Sequence, residues 1–124
     1  MMDTVLVVDD DQATAQMIQE TLEMEGYRVL RAIGGAALAL ARTQHPAVIL
    51  LDINMPGMNG PEVSQHLRAD PATATIPIIC MSSHVAGMRV PPEMHYDDRL
   101  DKPFALDLLR ATVLRWTGDE GHPV

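Results

Sequence analysis

Apolar positions fall into two patterns along this chain. Short runs are apolar at consecutive positions, as in Val5-Leu6-Val7-Val8 and Val48-Ile49-Leu50-Leu51. Longer stretches between them carry apolar residues at helical spacing, as in Leu106, Leu109, Val113 and Trp116. The first pattern is that of strands covered on both faces, the second that of helices with one buried side.

Strands are expected at Thr4–Val8, Tyr27–Ala32, Ala47–Leu51, Ile76–Met81 and, more briefly, Asp97–Leu100. Helices are expected from Gln12 to about Glu25, over Gly35–Gln44 and Pro61–Ala69, and from Ala105 to about Thr117. Local chemistry sets their ends. Asp11 is a helix N-cap and Gly26 a stop. His45-Pro46 ends the second helix, and Pro61 suits a first helical turn. Residues 84 to 96, H-V-A-G-M-R-V-P-P-E-M-H-Y, break the alternation. Gly87 weakens a helix there, and Pro91 and Pro92 would each cost about 3 kcal/mol in its interior. A loop with one or two helical turns at most is expected. Strict β-α alternation elsewhere implies one α/β domain, a doubly wound parallel sheet with right-handed crossovers.

In such sheets ligands gather at the carboxyl ends of the strands. Here those ends are polar. The first strand runs into Asp9-Asp10-Asp11, the third into Asp52, the fourth into Ser82-Ser83 and the fifth into Asp101-Lys102-Pro103-Phe104. Carboxylates about 5 Å apart repel by roughly 3 kcal/mol per pair at an effective dielectric of about 20. They call for a cation, and an all-oxygen ligand set suits Mg²⁺ or Mn²⁺ better than zinc. Mg²⁺ leaves room for a phosphoryl oxygen, with Asp52 as a carboxylate nucleophile. Lys102 is the sole lysine, whereas arginine serves everywhere else. A compact point charge fits a phosphoryl contact that the planar guanidinium fork would fill badly. Ser82 is preferred to Ser83 as a hydroxyl donor because it directly follows the strand. Asp11 reads as a cap rather than a ligand.

Four motifs in this order, V-L-V-V-D-D-D, I-L-L-D-I-N-M-P-G-M-N-G, P-I-I-C-M-S-S and D-K-P-F, resemble the receiver domain of bacterial response regulators in two-component signalling. The resemblance covers nearly the whole chain, with residues 1–118 as receiver and 119–124 as a polar tail. It implies a flavodoxin-like (βα)₅ fold with strand order 2-1-3-4-5, here with a degenerate or shortened fourth helix. It implies that Asp9 and Asp10 hold Mg²⁺ together with Asp52 and the backbone carbonyl of Asn54. It makes Asp52 the phosphoacceptor, Ser82 the switch hydroxyl, and Lys102 the phosphoryl contact before a cis Lys-Pro bond. A histidine kinase or histidine phosphotransfer protein would donate the phosphoryl group in a phosphorelay, and an unnamed downstream protein would read the result. The domain would catalyse only its own phosphorylation and dephosphorylation.

Three departures from the family pattern stand out. His95-Tyr96 replaces a small Gly-Ala pair, Arg99 occupies a usual aromatic position, and Pro91-Pro92 lie in the fourth helix. His84 falls where the family tunes phosphoryl loss, and reads equally well as an exposed loop residue. The irregular segment motivates an alternative, an interaction module that works without phosphorylation. A phosphohydrolase of the haloacid-dehalogenase kind would need an acid where Asn54 stands. A formal charge of -8 argues against direct nucleic-acid binding. The absence of a long apolar run or a basic leader, with a lone Cys80 among apolar neighbours, suits a cytoplasmic protein away from membranes.

Overall fold

The computed structural model describes residues 3–83 and 90–117. They form β1 (Thr4–Val8), α1 (Gln12–Met24), β2 (Arg28–Ala32), α2 (Ala36–Gln44), β3 (Val48–Asp52), α3 (Gly60–Ala69), β4 (Ile78–Ser83), β5 (Asp98–Lys102) and α4 (Leu106–Thr117). The five strands are all parallel, in the order β2-β1-β3-β4-β5. This is the expected flavodoxin-like arrangement.

Alternating strand positions face opposite sides of the sheet, and two apolar layers result. Leu6, Val8, Ile49, Leu51, Ile78 and Cys80 pack against α2 and α3 through Ala37, Ala41, Val63 and Leu67. Val5, Val7, Val48, Leu50, Ile79, Met81 and Leu100 pack against α1 and α4 through Ala15, Ile18, Leu22, Leu109 and Val113. All of β3 is buried, which explains why it reads as an unbroken apolar run.

Several boundaries differ from the sequence expectation. Strand β4 starts at Ile78, not Ile76. Ile76 N–H instead closes a turn onto Thr73 O at 3.1 Å, and Pro77, which lacks an N–H, only accepts from Ile49 N. Strands β4 and β5 both run two residues further than expected, because Ser82 pairs with Asp101 and Ser83 with Lys102. Strand β3 includes Asp52. Asp11 does occupy the N-cap position of α1 with extended backbone, yet its carboxylate makes no cap bond. It accepts from the Thr14 hydroxyl instead.

Of the irregular segment, residues 84–89 lie outside the described residues, as do 118–124. Residues 90–97 contain no helix, only a turn at Pro92-Glu93. They cover the sheet nonetheless. Met94 is buried and Val90 half-buried against the α2/α3 layer. His95 N–H donates to Ser64 Oγ at 3.0 Å, and Asp97 accepts from Arg68 Nη2 at 2.5 Å and from Ile78 N at 2.9 Å. Residues 90–97 thus cover part of this layer as a non-helical strap with one turn, with Arg68 and Ser64 of α3 satisfying its polar groups. On the other side of β5, Asp98 binds α4 by accepting from the Trp116 indole and Arg115.

Candidate phosphoacceptor site

Strand register brings the acidic residues together. Asp52 ends β3, and Asp9 and Asp10 follow β1, its neighbour in the sheet. Asp9, Asp10 and Asp52 each offer an oxygen, and these oxygens lie within 4.8 Å of one another. Asp9 and Asp52 are buried, at 3% and 5% exposure, whereas Asp10 is exposed. Lys102, at the end of β5, reaches into the cluster. Its Nζ donates to Asp9 Oδ2 at 2.7 Å and to Asp52 Oδ1 at 3.3 Å, across sequence separations of 93 and 50. The other Asp9 oxygen accepts from Asp11 N–H at 2.9 Å, which fixes the carboxylate.

Position along each strand explains the convergence. Asp52 continues the face of Val48 and Leu50, Asp9 that of Val5 and Val7, and Lys102 that of Leu100. All three therefore rise on the α1/α4 side of the carboxyl edge. A tight approach of α3 completes the floor. A Cβ on Gly60 would lie 2.3 Å from the Asp52 carbonyl oxygen and 2.8 Å from Ile53 Cα, so no other residue fits. Gly60 N–H donates to Ile53 O at 2.9 Å, and Ile53 N–H to Met81 O at 3.2 Å, tying the loop that carries Asn54 to the sheet. Asn59 caps α3 in a reciprocal pair with Glu62. That capping box is written in the sequence as N-G-P-E, residues 59–62.

Electrostatics here are unbalanced. Burial, followed by the Asp9 charge, raises the Asp52 carboxyl to about 6, and Lys102 only partly opposes this. Burial also works against the Lys102 charge, but the hydrogen bond to Asp9 and the Asp52 charge outweigh it and hold the ammonium above its ordinary value. One lysine thus faces three carboxylates. Such a cluster is short of positive charge, and its donors are all hard oxygens with an open side at Asp10. These residues fit a divalent cation of the Mg²⁺ kind.

Ser82 behaves differently. It is buried, at 8% exposure, while Ser83 is exposed. Met81, not Ser82, registers with Asp52. Ser82 therefore has the opposite orientation, shared with Asp101 and Arg99 across β5. Its hydroxyl donates to Asp101 Oδ1 at 2.8 Å, and Arg99 Nε donates to that same oxygen at 2.6 Å. Nothing local in the sequence marks Asp101 as the partner of Ser82; the register of β4 and β5 pairs them. Asn54 lies exposed in the loop after β3, His84 falls outside the described residues, and the Lys102-Pro103 peptide is cis. Cys80 is a free thiol that burial pushes up to about 12, an inert core group. No helix among the described residues is long and apolar enough to cross a membrane.

Known proteins resemble this chain in sequence and fold. Response regulator MprA of Mycolicibacterium vanbaalenii is 36% identical over 126 residues, covering 94% of this chain and 53% of that protein. The chain spans about half the length of the first curated relatives it matches. Chemotaxis response regulator CheY4 of Vibrio cholerae superposes with a TM-score of 0.83 at 33% identity, covering 93% of this chain and 98% of that one. The receiver domain of sensor histidine kinase PA1611 from Pseudomonas aeruginosa, solved with a magnesium ion coordinated in its active-site cleft, gives a TM-score of 0.87 at 28% identity, covering 96% and 100%. Residues 5–114 match the family described as Response regulator receiver domain. With its sheet order and acidic strand ends, the chain belongs to the response regulator receiver domain family of two-component signalling.

Proposed function

We propose that this chain accepts a phosphoryl group on Asp52 in a Mg²⁺-dependent phosphorelay. One observation carries the reading: Asp9, Asp10, Asp52 and Lys102 converge at the carboxyl edge of the sheet from three separate strand ends. Asp9, Asp10, Asp52 and the Asn54 backbone carbonyl would hold Mg²⁺, with Mn²⁺ as a substitute. The magnesium ion in the PA1611 receiver supports this assignment. When bound, the cation neutralises the carboxylates and offsets the charge of an incoming phosphoryl group.

The donor is a phosphohistidine on a histidine kinase or phosphotransfer protein. An Asp52 oxygen attacks phosphorus, the P–N bond breaks, and the imidazole leaves with the bond's electron pair. The product is an aspartyl phosphate. Lys102 turns its ammonium from Asp9 and Asp52 to a phosphoryl oxygen, where its point charge suits any approach angle. Ser82 donates its hydroxyl to another oxygen, moving the end of β4 toward Asp52. Charge-assisted bonds of this kind can supply the roughly 5.5 kcal/mol that a shift from about 1% to about 99% active requires. The chain's own residues organise both transfer and loss of the group, and a downstream protein reads the shifted edge.

Acetyl phosphate with Mg²⁺ tests the reading. Intact-mass measurement should show one added phosphoryl group on the wild type and none on Asp52→Ala. Equal modification of both proteins refutes it.

A further inference from the structure

We infer that Asp101 is a positioning residue that holds the Ser82 hydroxyl away from Asp52 until a phosphoryl group competes for it. The inference rests on the phosphoacceptor reading and deepens it. A hydroxyl carries one proton and so donates to one acceptor at a time. In this structure that proton goes to Asp101 Oδ1, 2.8 Å from Ser82 Oγ. A donation to a phosphoryl oxygen on Asp52 requires the Asp101 bond to break.

Three observations make Asp101 a specific holder rather than a chance neighbour. Ser82 and Asp101 are register partners on β4 and β5, so the sheet itself sets their separation. Arg99 lies on the same face two residues away and donates Nε to the same oxygen at 2.6 Å, which orients the carboxylate. The acceptor is a carboxylate in an ion pair with Arg99, and hydrogen bonds to charged acceptors are stronger than those between neutral groups. Arg99 occupies the position where the family resemblance leads one to expect an aromatic ring. In this chain that position carries instead the cation that fixes the competitor of the phosphoryl group.

Beryllofluoride, which mimics a phosphoryl group on a carboxylate, tests this by fluorine NMR titration of the full chain in Mg²⁺. Asp101→Ala should bind the mimic about tenfold more tightly than wild type, the low end for a lost bond to a charged acceptor because the freed hydroxyl turns to water. Asp101→Asn, which keeps the shape and a neutral acceptor, should show a smaller gain and guards against a folding defect in the alanine variant. In a Ser82→Ala background the gain from Asp101→Ala should vanish. A gain that persists undiminished there reflects only removal of an acid near an anion site and overturns the inference. Unchanged affinity in both Asp101 variants overturns it as well. Absence of binding by every protein, wild type included, overturns the phosphoacceptor reading and the inference with it.

Discussion

Burial and the neighbouring Asp9 charge raise the Asp52 carboxyl to about 6, against an ordinary value of 3.8, so its protonation is coupled to folding below neutrality. The folded state holds this proton more tightly than the unfolded state. The stabilisation is therefore complete below about pH 4 and is lost as pH rises through about 6. In the presence of chelator, wild type should lose about 1 to 2 kcal/mol relative to Asp52→Asn between about pH 4 and 7, a value reduced for residual solvent screening. Urea denaturation at several pH values measures this, and parallel curves for the two proteins would refute it. Lys102 does not blur the window, because its ammonium is held above the ordinary lysine value and stays charged throughout. The acidic pair and Asp52 were legible in the sequence because each follows an apolar strand. Asp101 was not, because nothing local marks which residue of β4 it meets.

At the level of elements, the site depends on how closely α3 approaches β3. Helix propensity alone favours alanine over glycine by about 1 kcal/mol at an ordinary helical position. At position 60 the sign reverses, since the added Cβ would sit 2.3 Å from the Asp52 carbonyl oxygen, a backbone atom that cannot move aside. Gly60→Ala should destabilise by about 2 to 3 kcal/mol, as overpacking does, and should weaken Mg²⁺ binding by displacing Asp52. Calorimetric Mg²⁺ titration beside urea denaturation tests both effects, and wild-type behaviour in either would show that the contact relaxes freely. The strap at 90–97 illustrates a different dependence. Pro91 and Pro92 exclude a helical interior, which sequence alone conveys. That Met94 still fills the core, with Ser64 anchoring the strap backbone at His95 and Arg68 holding the Asp97 carboxylate, depends on contacts between segments far apart in the chain.

Over the whole molecule, the net charge is -8, and three of the carboxylates behind it, Asp9, Asp10 and Asp52, converge at one edge of the sheet. A cation that binds only the folded cluster stabilises by mass action. At about a hundredfold excess over its dissociation constant, Mg²⁺ should add about 2.7 kcal/mol to wild type and a small fraction of that to Asp9→Ala. Thermal unfolding with and without Mg²⁺ measures the difference, and equal shifts would place the cation elsewhere. The sequence by itself determined the alternation of strands and helices, the parallel sheet, the acidic strand ends and the sole lysine. These follow from periodicity and local turn chemistry, which act over a few residues. Only the tertiary structure decided that β4 and β5 extend two residues further, that α3 presses on the Asp52 carbonyl, and that Ser82 faces Asp101 rather than Asp52. Each of these depends on register between segments distant in the chain, and register is set by packing of the whole sheet.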